Sequence, residues 1–167
     1  DKVKYMAIEI SGSTFLEGVT VIGATSTPII NTGLQLYLDA LDINSYPGTG
    51  TTWYDLTDNN NDVTMQNSGS ITWNPSRYFA TGSNGWFTTP SSTNIPTGNS
   101  DYTLSVWVQL GSSWGSNGFI SVGPFGSGNQ ANAFRTGGTN AYYNYWWGND
   151  LYASSSLSPA TQWFNAV

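Results

Sequence analysis

Asp55, Asp58, Asn60 and Asp62 fall in one polar stretch, D-L-T-D-N-N-N-D. Hard cations take several oxygen ligands from carboxylates, amides and carbonyls, so calcium is the cofactor such a loop could hold. Asp39 and Asp42 lie near in sequence. The run lacks the Gly and the closing bidentate Glu of a helix-loop-helix calcium site. Asn and Asp side chains also bond their own backbone two residues on, which makes a solvated turn. That turn chemistry is the stronger reading of the loop. It also covers Asp39 and Asp42, which directly follow an apolar strand-like segment.

The second constellation is aromatic. Tyr142, Tyr143, Asn144, Tyr145, Trp146 and Trp147 are consecutive, with Asn140 and Asn149 on either side. Aromatic faces stack on the apolar faces of pyranose rings, and amides bond the hydroxyls. A glycan site built this way needs no net charge. Trp114, in a Gly-Ser loop, could join it. The same residue types also fill cores and protein–protein interfaces. In a strand, adjacent side chains point to opposite faces, so at least one of Trp146 and Trp147 should face outward.

The rest of the composition narrows the chemistry. The chain of 167 residues has no His and no Cys. Imidazole bases, thiol nucleophiles, the Ser-His-Asp triad and ordinary zinc sites are therefore excluded. Lys and Arg number 4 against 10 Asp and Glu, a net charge of −6, so no basic face exists to neutralise phosphates and no nucleic-acid partner is expected. The only Glu residues are Glu9 and Glu17, and no E-x-D-x-E strand is present, so a glycosidase carboxylate pair is not expected. No stretch approaches the ~20 apolar residues of a membrane-spanning helix. Aromatics make up 15% of the chain, which gives it enough apolar surface to fold around.

These side chains must be held by short strands. Gly, Ser, Thr and Asn punctuate the chain every few residues, and no helix-period run of useful length occurs. Leu34, Leu36 and Leu38 alternate in L-Q-L-Y-L, and Tyr46 to Gly50 is a turn. Leu104, Val106, Val108 and Leu110 face one way in the strand from Tyr102. Its other face carries Trp107, which suggests that both faces are covered. Further strands are expected at 119–122, 133–135, 141–147 and 162–167. Residues 1–32 differ in texture and read as an N-terminal arm or the end of a preceding domain. Within them, strands are expected at 4–10 and 14–22. Residues 33–167 form the main domain.

Four ordered segments carry a resemblance. They are G-L-Q-L-Y-L-D-A at 33–40, N-S-Y-P-G-T-G-T-T-W-Y-D-L at 44–56, R-Y-F-A-T-G-S-N-G-W-F at 77–87 and N-S-D-Y-T-L-S-V-W-V at 99–108. Together they resemble the laminin-G-like, concanavalin-A-like jelly-roll domains of bacteriophage virion proteins and bacterial surface proteins. The closing Q-W-F-N-A-V is similar to a family strand that opens on Trp. The resemblance implies an all-β, antiparallel jelly-roll sandwich in which Trp53, Trp86, Trp107 and Trp163 are packing residues. The family's Phe-Asp-Gly turn is Ala80-Thr81-Gly82 here, so its Asp is absent. The family also continues beyond the point that corresponds to Val167, which implies missing strands or cover from a neighbouring subunit.

The expected function is a non-enzymatic virion module, a decoration, fibre or tail protein. It would contact other virion subunits, form a homo-oligomer and adhere to host surface glycans. A secreted or cell-surface bacterial carbohydrate-binding module is the competing expectation.

Overall fold

A computed structural model describes residues 4–9, 32–74, 78–89, 94–96, 100–111, 117–123, 126, 128–137, 141–154 and 163–167, with only the backbone of 4–9 and 154. Regular structure among them is β, apart from one 3-10 turn at Ser68–Ser70. The all-β class expected from the sequence is therefore present. No helix among the described residues is long and apolar enough to cross a membrane. The chain divides into two compact units, Asp1–Asn94 and Ile95–Val167.

The first unit begins with β1 (Lys4–Glu9) and β2 (Leu34–Asp39). These pair in parallel, from Tyr5 opposite Leu34 to Glu9 opposite Asp39. This pair departs from the antiparallel expectation. A parallel pair needs a long crossover connection, and the chain from residue 10 to 33 is long enough to supply one. The strand expected at 14–22 lies outside the described residues. The unit continues with β3 (Thr52–Trp53), β4 (Val63–Gln66), β5 (Ile71–Asn74), β6 (Tyr78–Thr81) and β7 (Trp86–Thr88). β4 lies between β3 and β7, and β5 pairs with β6, all antiparallel.

The alternation in β2 buries Leu34, Leu36 and Leu38 and leaves Gln35 and Tyr37 half-exposed. An aromatic cluster fills the rest of this core. Phe79 meets the Tyr46 and Trp53 rings, each at 4.7 Å between centroids, and the Phe87 ring at 5.0 Å. Trp73 lies 5.8 Å from Tyr46. Such tilted and edge-on contacts suit the ring quadrupoles. Trp53 is 2% exposed. The Tyr46 hydroxyl donates to Gly50 O at 3.0 Å, and burial pushes its pKa up.

Trp86 corrects an expectation. It is 50% exposed and is not a packing residue. Alternation along β7 turns Phe87 toward the cluster and leaves Trp86 and Thr88 outside.

The second unit contains β8 (Tyr102–Val108), β9 (Gly118–Val122), β10 (Asn132–Thr136), β11 (Ala141–Tyr145), β12 (Leu151–Ser154) and β13 (Phe164–Ala166). β9 to β12 form an antiparallel meander in sequence order. β13 pairs antiparallel with β8, Phe164 opposite Val108. Leu104, Val106 and Leu110 are buried, and Trp107 on the other face of β8 is half-buried. Trp163, the other expected packing tryptophan in this unit, is half-buried just before β13.

Candidate functional site

The acidic loop is built around one carboxylate. Asp55 Oδ1 accepts from the backbone N–H of Tyr37 at 2.9 Å and of Thr57 at 3.0 Å. Asp55 Oδ2 accepts from the Thr57 hydroxyl at 2.7 Å and from Asn61 N at 2.9 Å. Asp62 Oδ1 in turn accepts from Asp55 N at 2.9 Å. Asn59 and Asn61 tie the loop to β2 by donating from their amides to the Gln35 carbonyl, at 3.2 and 2.7 Å.

A carboxylate that already accepts four hydrogen bonds has its lone pairs occupied. Asp58 is exposed, and the Asn60 amide donates to the backbone carbonyl of Asp58 at 3.0 Å. Among the described residues, no three Asp or Glu side chains gather as a metal-ligating group. Asp55, Asp58, Asn60 and Asp62 therefore read as a structural turn. Asp39 and Asp42 behave likewise, accepting from Leu41 N at 2.7 Å and Asn44 N at 2.8 Å.

The meander divides the aromatic set between two faces. Cross-strand partners share a face, and neighbours along a strand do not. On one face, Tyr142 lies 5.2 Å from the Phe164 ring. Tyr142 and Asn144 line a cleft of about 390 Å³ with Phe119, Phe134, Ala153 and Phe164, and Arg135 and Tyr143 also border it. On the opposite face, register places Arg135, Tyr143 and Tyr152 in a row across β10, β11 and β12. The Tyr143 and Tyr152 rings are 5.7 Å apart. The Arg135 guanidinium carbon sits 5.0 Å from the centre of the Tyr145 ring, a cation–π distance. Tyr143 also lies over Gly137, where any β-carbon would collide with its ring.

Trp147 extends this row. It meets Tyr145 edge-on at 5.7 Å and is 40% exposed. The expected outward tryptophan is thus Trp147, but strand alternation is not what presents it. β11 ends at Tyr145, and Trp147 takes a left-handed backbone with φ 56°. That conformation is unusual for a bulky residue. It is held by Trp146 N donating to Asp150 Oδ1 at 2.9 Å and by Asn129 N donating to Trp146 O at 2.9 Å. The Asn149 amide closes the turn by donating to Asn129 Oδ1. Trp146 itself is half-buried.

The structure therefore brings together Tyr143, Tyr145 and Trp147, while register assigns Tyr142 and Asn144 to the other face of β11. Trp114 and Asn140 lie outside the described residues. Two members of the row, Arg135 and Tyr152, were not singled out in the sequence. Gly148-Asn149-Asp150 is a turn signal, and folding the chain about it pairs Tyr143 with Tyr152. A comparison with protein families, curated proteins and solved structures finds no match to this chain.

Proposed function

We propose that the chain is a non-enzymatic contact module that binds glycans through the aromatic face of its second unit. The observation that carries this reading is the row of Tyr143 and Tyr152, extended by Tyr145 and Trp147, on one side of the meander. Tyr152 is 68% exposed, so the row opens to solvent. Adjacent strands lie about 4.8 Å apart, so a row across three of them spans roughly 10 Å, which suits more than one sugar ring. The scarcity of acid–base groups supports binding without turnover. The segments resembling jelly-roll domains of phage virion proteins support a jelly-roll sandwich in a decoration, fibre or tail protein. Its partners would then be other virion subunits, including copies of itself. A secreted or cell-surface bacterial carbohydrate-binding module would use the same face.

A glycan array read with the wild-type protein and Tyr152→Ala tests the proposal. The expected result is a defined set of bound glycans whose affinity falls about tenfold in the variant, as for loss of an aromatic anchor. An array without any bound glycan overturns it. Chelation of calcium is expected to leave binding unchanged, since the Asp55 loop is satisfied by its own donors.

A further inference from the structure

We infer that the aromatic row selects sugars carrying an anionic group, with Arg135 as the residue that reads the charge; this rests on the glycan-binding reading above. Among the described side chains, Arg135 is the only Lys or Arg. It stands in the row itself, opposite Tyr143 and against the Tyr145 ring. It is half-buried, and no carboxylate or carbonyl among the described residues accepts from it.

A cation that is partly removed from water gains by finding an anion. The contact with Tyr145 holds the guanidinium in place without supplying one. Arg offers a planar fork of five N–H donors that matches a carboxylate or a phosphate-like group in bidentate fashion. A sugar stacked on Tyr143 or Tyr152 would bring an acidic substituent within reach of that fork. The carboxylate of a hexuronate and a sulfate ester share this chemistry. The chain as a whole carries −6, so general electrostatics work against binding a polyanion. A preference for acidic glycans must then come from a local site.

Polygalacturonate, its fully methyl-esterified form, dextran sulfate and dextran are the probes, with affinities measured by calorimetry on the full chain. The ester keeps the polymer backbone and removes the charge. The expected result is that polygalacturonate binds about tenfold or more tighter than its ester, the gain typical of a charge-assisted pair. Arg135→Gln should erase that difference, and Arg135→Lys should keep part of it. A matching gain for dextran sulfate over dextran supports the same anion chemistry, with a sulfate ester as its source. Circular dichroism checks the fold of each variant. Should Arg135→Gln not fold, raising the salt concentration on the wild type provides the same test, because only the charged polymers should lose affinity. If each charged polymer binds no better than its neutral counterpart, the selectivity inference is overturned while the aromatic contact surface stands. If none of the four polymers binds and the glycan array is also empty, the reading beneath it falls as well.

Discussion

Four donors converge on the Asp55 carboxylate, and truncating it would strand all of them at once. Three are backbone N–H groups, of Tyr37, Thr57 and Asn61, and the fourth is the Thr57 hydroxyl. Leaving part-buried donors unpaired costs more than a typical hydrogen bond contributes. Asp55→Ala is therefore expected to lower unfolding free energy by about 2–4 kcal/mol, read from urea midpoints at constant slope. Asp58→Ala, at an exposed position in the same loop, should stay within about 0.5 kcal/mol of wild type. The local half of this arrangement was legible in the sequence, because Asx side chains bond backbone two residues on. The bond to Tyr37 was not, since nothing in the stretch 55–62 says which distant strand it will lie against. Trp147 was half legible in the same sense. One outward tryptophan of the two was expected from strand alternation, whereas Trp147 is presented by a left-handed turn that depends on Asn129 and Asp150, which the fold brings to it.

At the scale of elements, the two ends of β9 make opposite demands on glycine. Gly123, which closes the strand, has φ 90°, and a β-carbon there would overlap the carbonyl oxygen of Gln130. Gly118, which opens it, has no atom within 4 Å of where a β-carbon would sit. Gly123→Ala is expected to destabilise the protein by about 2 kcal/mol or more, through strain and lost β9–β10 pairing. Gly118→Ala should be neutral or stabilising by about 0.5 kcal/mol, because it restricts the unfolded chain. Thermal melts of the two variants against wild type check both signs. Strands with one buried face were the most legible elements. Leu34, Leu36 and Leu38, and likewise Leu104 and Val106, announce their inward side by period-two spacing, and all five are buried. Trp86 shows the limit of carrying a role over by resemblance, since its place in a family-like segment implied packing while its phase opposite to Phe87 placed it outside.

For the whole molecule, what is scarce matters as much as what is present. A chain without His or Cys, whose Glu residues are confined to positions 9 and 17, has little with which to move a proton. Prolonged incubation with any glycan it binds is expected to release no new reducing ends, and an increase above a no-protein control would contradict the binding-module reading. The all-β class was legible from punctuation and alternation alone. The pairing of β1 with β2 was not, because partner choice between distant strands leaves no local trace. That parallel pair also bears on how the protein is made. β1 leaves the ribosome before β2, and the ladder between them cannot form until residues 10–33 and β2 have both emerged. Neighbouring strands such as β10 and β11 can zip as soon as they are synthesised, at little cost in loop closure. The β1–β2 ladder thus closes a longer loop than the β10–β11 ladder does, and until it closes the backbone edge of β1 is open to other nascent chains.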